Sequence, residues 1–310
     1  MSQLFTSKVT IIGLGSQGLA WALNLRDSGF DVNIWLRAKS SSKKTADSLE
    51  LSVSNELSSI ILLLIPDGQH HNFLQENQDQ IPDGAAIIYA HGASCVENNF
   101  SKTFPKFNHL LLAPKAIASE VRFQFETGGK LGACSSLEYA LGQDLDACRV
   151  LIKNLAEGLG ITAGPYPTTF KNEARADLFS EQSLLCGLLP YAAKKSFDLL
   201  IAKGIDPEVA YMECWLEVKL IATAMVELGP RDFFDLISPH ALSGAHKAQG
   251  LIFDKAYQNV LEKLYKDIEN GTFFKEVKAQ DQQKMRSEVL SFWEESQLQK
   301  VHDQLSEDLV

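Results

Sequence analysis

Along roughly the first 145 residues, short apolar runs alternate with segments of helical spacing. Val9-Thr10-Ile11-Ile12 opens the series, a helix-like stretch follows over 18–28, and Asp31-Val32-Asn33-Ile34-Trp35-Leu36 is the second run. The continuous run Ile60-Ile61-Leu62-Leu63-Leu64-Ile65 stops at Pro66-Asp67. Ala85-Ala86-Ile87-Ile88-Tyr89-Ala90 and Leu110-Leu111-Leu112-Ala113 repeat the theme. Runs without polar alternation suit strands buried on both faces, and strands separated by helices predict a parallel sheet with helices on either side. From about residue 145 the period changes to that of helices, over 146–159, 172–187, 190–203, 207–228 and Lys255–Glu269, and strand signals vanish. Pro207 stands where a first helical turn accepts proline. The pattern predicts an α/β domain over 1–164 and an all-helical domain over 165–310, divided in the Gly/Pro-rich GLGITAGPYP. The charged tail beyond Lys278 reads as a peripheral helix.

Gly13-Leu14-Gly15-Ser16-Gln17-Gly18 fits G-x-G-x-x-G between the first strand and the first helix. Glycines there permit a tight turn, close approach of a pyrophosphate and close helix–strand packing, while the helix N-terminus offers unpaired N–H groups to the anion. The α/β domain is therefore read as a Rossmann-type dinucleotide-binding domain. At the end of the second strand an NAD site usually carries an acid for the ribose 2′-hydroxyl. Here Arg37, Ser40, Ser42 and the neighbouring lysines come first, with no acid until Asp47. Charge-assisted bonds from such a loop suit a 2′-phosphate and point to NADP(H).

Asp177 and Glu181 stand four residues apart in an apolar helical segment, as do Glu213 and Glu217. Like charges at that spacing destabilise an isolated helix by a few tenths of a kcal/mol, about 0.2–0.5, so the pairs either face water or serve a cation. Four carboxylates drawn from two helices offer all-oxygen ligation, which suits Mg²⁺ above Zn²⁺.

The totals narrow the function classes. Of 310 residues, 45% are hydrophobic and 22% charged, which argues for folded domains. A net charge of −10 makes a poor partner for nucleic acid. No apolar run approaches the roughly 20 residues of a membrane helix, and MSQLFTSKVTIIGLG does not read as a signal peptide. The five cysteines are scattered without CxxC spacing, as in a reduced, cytoplasmic protein where most thiols are buried.

These motifs together resemble ketol-acid reductoisomerase, the branched-chain amino-acid biosynthesis enzyme, in its short form. The resemblance runs from Val9 to about Gly271. It is carried by the glycine turn, Leu36-Arg37 with the serine loop, Leu64-Ile65-Pro66-Asp67, Ala90-His91-Gly92, Ala113-Pro114-Lys115 and Thr168-Thr169-Phe170-Lys171. The later carriers are Asp177-Leu178-Phe179-Ser180-Glu181-Gln182, the Glu213–Glu217 helix, Ile237-Ser238 and Asp267-Ile268-Glu269-Asn270-Gly271. The resemblance implies NADPH on the glycine turn, with Ile65, Pro66 and His91 also touching the coenzyme. It implies two Mg²⁺ ions, with Asp177 bridging, Glu181 on one and Glu213 and Glu217 on the side of the second. Catalytic roles fall to His91, Lys115 and Glu217, and Ser238 would hydrogen-bond the carboxylate of an acetohydroxy acid such as 2-acetolactate. It further implies a knotted helical domain and a homodimer or higher homo-oligomer whose subunits complete each other's sites.

The chain departs from the family's pattern after Lys115, where Ala116-Ile117-Ala118-Ser119 replaces a Gly-Pro-Gly-like turn. After Ser238, Pro239-His240-Ala241-Leu242-Ser243 replaces a polar run; Ser180 stands for a common glycine and Pro167 for a common glutamate. Substrate choice is where these changes bear. The rival readings are a relative that reduces another 2-oxo acid without isomerisation, and a non-catalytic NADP-binding protein.

Overall fold

The computed structural model describes residues 8–309. Residues 1–7, which begin the segment read above as free of a signal peptide, lie outside the described residues. The chain divides into two compact units, the first ending at Ala174 and the second beginning at Arg175.

Among the described residues, eight strands build the first unit: β1 (Val9–Ile12), β2 (Val32–Trp35), β3 (Ser52–Val53), β4 (Ile60–Leu63), β5 (Ala86–Tyr89), β6 (Asn108–Pro114), β7 (Gly132–Tyr139) and β8 (Ala163–Pro167). They lie in the order β3-β2-β1-β4-β5-β6-β7-β8. Val9 pairs with Val32 on one side and Ile60 on the other, both in parallel register. The order reverses at β1, so β1 and β4 flank the crevice in which doubly wound sheets bind ligands. The helices of this unit are α1 (Ser16–Asp27), α2 (Lys43–Ser48), α3 (His70–Asn77), α4 (Ala93–Glu97), α5 (Phe100–Thr103), α6 (Ala118–Thr127) and α7 (Leu145–Gly158).

Successive strand residues explain the unbroken apolar runs. Ile11, Ile34, Leu62 and Ile88 pack with Trp21, Leu25 and Leu155 in one core cluster. Ile12, Ile61, Leu63 and Tyr89 pack with Phe73, Phe100 and Phe170 in another. Both faces are covered, and each fully buried Ile or Leu contributes about 1.5–3 kcal/mol.

Three strands were not anticipated. The two-residue β3 pairs parallel to β2 at one edge of the sheet. β7 runs antiparallel to β6, so the sheet is not wholly parallel. β8 lies inside the segment read as the interdomain linker and pairs parallel to β7. Its position at the sheet edge tolerates Pro165 and Pro167, which lack the N–H that a central strand must donate. The first compact unit thus runs ten residues past the expected 164/165 division, and Phe170 is fully buried among its aromatics, 5.1 Å from Tyr139.

Among the described residues, helices alone form the second unit. Helix α8 (Phe170–Ser180) enters it and passes into a π-turn at Glu181–Leu185; α9 (Leu188–Ala202) follows. Helix α10 (Pro207–Tyr211) meets a second π-turn at Met212–Leu216 before α11 (Glu217–Leu236), which breaks at Gly229-Pro230. The predicted helices over 172–187 and 207–228 therefore each contain a π-turn. Five helices complete the chain: α12 (Pro239–Ile252), α13 (Lys255–Glu269), α14 (Thr272–Ala279), α15 (Gln282–Glu294) and α16 (Gln297–Leu309).

The tail is more than peripheral. Leu298 and Val301 of α16 are buried against Phe197, Ala210 and Tyr211, and the Tyr211 hydroxyl hydrogen-bonds His302 Nδ1 at 2.8 Å. All five thiols are unpaired, but only Cys95 and Cys148 are buried, fewer than expected. Among the described residues no helix is long and apolar enough to cross a membrane.

Candidate active site

The glycine turn meets its three requirements separately. Gly13 has φ +90°, and a Cβ there would lie 2.6 Å from the Ile65 side chain. A Cβ on Gly18 would run into the Gly13 carbonyl, so this glycine permits helix and strand to touch. Gly15 faces open space and caps α1, leaving the first N–H groups of that helix without intrahelical acceptors. Beside the turn lies a cavity of about 510 Å³. It is lined by Gly13, Leu14 and Gly15 of the turn, by Arg37, Ser40 and Ser42 after β2, and by Ile65 and Pro66 after β4.

Ser16, Gln17 and Gly18 adjoin the cavity in the first turn of α1 and do not line it. The Gln17 amide donates to the Ala116 carbonyl at 3.4 Å, while its oxygen accepts from Trp21 Nε1 at 3.2 Å. The remaining wall escaped the sequence reading. It comes from Trp35 and from Gln69, Asn72, Phe73 and Glu76, whose i, i+3, i+4, i+7 spacing was the available signal.

A buried polar group stands at the C-terminal ends of β5 and β6. Glu173 is 3% exposed. One of its oxygens accepts the Gly92 N–H at 2.7 Å, and the other receives Lys115 Nζ at 2.5 Å. A carboxylate buried to this degree needs such donors to offset its lost hydration. His91 completes the group, with Nε2 3.9 Å from Glu173 and Nδ1 3.4 Å from Asp67. A Cβ on Gly92 would press on the Phe170 carbonyl and the Glu173 carboxylate, which accounts for glycine after His91. Glu173 was not singled out from sequence because a lone glutamate in a helix carries no pattern of its own.

His70 supports the same loop. Its Nε2 lies 2.8 Å from the Ile65 carbonyl, which can only accept, so Nε2 carries the proton. Its Nδ1 then accepts from the Ser94 hydroxyl at 2.6 Å. Burial holds the imidazole pKa below its ordinary range and favours this neutral form, despite the opposing charge of Asp67. His70 thus fixes the peptide that carries Ile65 against Gly13.

In the second unit, Asp177 is half-buried on α8, and Glu181, at the start of the first π-turn, is exposed. Glu213 lies within the second π-turn and Glu217 just after it, both exposed. π-turns insert an i→i+5 bond and recur at functional sites. Among the described residues, these four carboxylates do not gather three or more oxygens into one cluster within a single chain. Ser238 caps α12, its Oγ accepting from the Ala241 N–H at 3.2 Å, which leaves its proton to be donated outward.

A doubly wound sheet with a glycine-lined cavity at its switch point, joined to an all-helical unit, defines an NAD(P)-dependent oxidoreductase. Residues 3–164 match the family described as acetohydroxy acid isomeroreductase, NADPH-binding domain, and residues 170–309 match ketol-acid reductoisomerase, C-terminal domain. The chain belongs to the ketol-acid reductoisomerase family. Among solved structures, an NADH-preferring ketol-acid reductoisomerase from an uncultured archean is 25% identical with a TM-score of 0.85, over 97% of this chain and 94% of that one. A semialdehyde dehydrogenase NAD-binding protein from Cupriavidus necator matches at 16% identity and a TM-score of 0.64, over 86% and 99% of the two chains. A putative oxidoreductase from Jannaschia sp. CCS1 matches at 12% and 0.62, over 85% and 98%. The last two speak for the fold alone.

Proposed function

We propose that the chain converts 2-acetolactate and related 2-hydroxy-2-alkyl-3-oxo acids to 2,3-dihydroxy acids, using NADPH and Mg²⁺. The observation that carries this reading is the buried Glu173 carboxylate gripping Lys115 beside His91, at the C-terminal ends of β5 and β6 in the sheet that also carries the coenzyme cavity. In this reaction the substrate loses its 2-hydroxyl proton, its alkyl group moves from C2 to C3, and the new 2-oxo group is reduced at C2.

The residues fit both the dinucleotide and the metal. The open face of Gly15 and the unpaired N–H groups of α1 suit a pyrophosphate, and Arg37, Ser40 and Ser42 suit a 2′-phosphate. Asp177, Glu181, Glu213 and Glu217 supply only oxygen donors, the set that a hard divalent cation takes. When bound, two Mg²⁺ ions supply Lewis-acid polarisation of the substrate oxygens and the nicotinamide supplies the hydride.

The chain's own residues do the rest. Glu217 takes the hydroxyl proton at a carboxylate oxygen. Lys115, held by Glu173, donates from Nζ to a substrate oxygen that gains charge, and His91 is held at Nδ1 by Asp67. The Ser238 hydroxyl donates to the substrate carboxylate. Because, among the described residues, the four acidic side chains do not form one cluster within a chain, the reading includes a homodimer in which Glu213 and Glu217 of one subunit serve Asp177 and Glu181 of the other.

The test uses purified protein with NADPH and Mg²⁺. One sample receives 2-acetolactate and a second receives 3-hydroxy-3-methyl-2-oxobutanoate. Oxidation of NADPH in both supports the reading, oxidation in the second alone leaves a reductase without isomerisation, and oxidation in neither removes the enzymatic reading.

A further inference from the structure

The coenzyme cavity contains a charge that the sequence pattern places elsewhere. Of the described residues lining it, two are of charged type, Arg37 from the loop after β2 and Glu76 from α3. Glu76 does not arrive there by accident of a flexible loop. Gln69, Asn72, Phe73 and Glu76 share one face of α3 and its preceding turn, by the i, i+3, i+4, i+7 rule, and all four line the cavity. Phe73 is 5% exposed and meets Trp35 edge-on at 5.1 Å, which anchors that face against the end of β2. The carboxylate one turn beyond Phe73 is therefore presented to the same space as Arg37, Ser40 and Ser42.

We propose that Glu76 is a specificity-determining residue for the coenzyme, acting as a counterweight to Arg37. The proposal rests on the reading of this cavity as the dinucleotide site. A 2′-phosphate carries nearly two negative charges, so it gains from Arg37 and loses to Glu76. A ribose 2′-hydroxyl is a donor and loses nothing to a carboxylate, which accepts. Glu76 thus narrows the advantage that Arg37 and the two serines give a 2′-phosphorylated coenzyme. The usual rule looks for such an acid at the end of the second strand. Here the fold supplies it from α3, 39 positions beyond Arg37 in the chain.

The experiment measures Kd by calorimetry for two coenzyme fragments, 2′,5′-ADP and 5′-ADP, on the full-length protein and on Glu76→Gln. Glu76 is exposed at the end of its helix, and the substitution keeps its size. Glu157→Gln on α7, which does not line the cavity, controls for overall charge. The expected result is about three- to tenfold tighter binding of 2′,5′-ADP to Glu76→Gln, with 5′-ADP changed less than twofold and both fragments unaffected in Glu157→Gln. The gain should shrink as ionic strength rises from 0.05 to about 0.5 M, because the two charges face each other across water. A ratio of the two constants unchanged by Glu76→Gln, or changed equally by Glu157→Gln, overturns the proposal while leaving the coenzyme reading in place. A wild-type protein that binds neither fragment overturns that reading and the proposal with it.

Discussion

His109 offers a prediction whose size follows from the structure. It is fully buried on β6, with its Nε2–H donated to the Phe104 carbonyl at 3.1 Å and its Nδ1 accepting from the Tyr89 hydroxyl at 2.9 Å. The neutral ring satisfies both nitrogens, and protonation would place a charge in the core. Burial pushes the pKa down to about 4, with the Phe104 bond opposing. The unfolded chain, with an ordinary imidazole, binds the proton more tightly, so the stability from this group is full above pH 6.5 and is lost as pH falls toward 4. The slope is about 1.4 kcal/mol per pH unit, which amounts to about 2 kcal/mol at pH 5 and about 3 kcal/mol at pH 4. Urea unfolding of wild type and His109→Gln, followed by circular dichroism between pH 7.5 and 4.5, isolates the effect. His70, shifted in the same direction, is present in both proteins and cancels in the difference. The variant should be the less stable by about 1–2 kcal/mol at pH 7.5 through its poorer hydrogen bonds, and should lose its disadvantage on acidification. Parallel stability profiles across that range would refute the reasoning.

Other substitutions test the site directly. Glu173→Gln keeps an acceptor for the Gly92 N–H but removes the anion that holds Lys115, so kcat should fall by about a hundredfold or more while NADPH binds within about twofold of wild type; undiminished kcat would remove Lys115 from the reaction as argued. Gly92→Ala forces a methyl group onto the Phe170 carbonyl and the Glu173 carboxylate, and thermal unfolding should report a loss of about 1–3 kcal/mol. Asp177→Asn should abolish isomerisation and leave coenzyme binding nearly unchanged; retained turnover would refute the metal assignment. Mixing inactive Asp177→Asn and Glu217→Gln subunits should restore about a quarter of wild-type activity, because half of the dimers then hold one intact site of two. If subunit exchange occurs and no activity returns, the shared site is wrong.

The apolar runs of β1, β4 and β5 were legible because strands covered on both faces leave little room for polar residues. The glycine turn was equally plain, since Gly13 and Gly18 each answer a local steric demand and Gly15 leaves the helix N-terminus open. β7 and β8 were not, because Gly132–Tyr139 mixes small and polar residues and Ala163–Pro167 carries two prolines. Their pairing is set by the edge of a sheet that already exists. Likewise the i and i+4 carboxylates could be read from spacing, but the π-turns at Glu181–Leu185 and Met212–Leu216 leave no mark in the helical period. The sequence by itself determined which residue types are available to bind a dinucleotide and a hard cation. Only tertiary structure decided that Glu173 would be the buried partner of Lys115 and that Glu76 would line the same cavity as Arg37, because each pair joins residues tens of positions apart, and local periodicity carries no information about such distances.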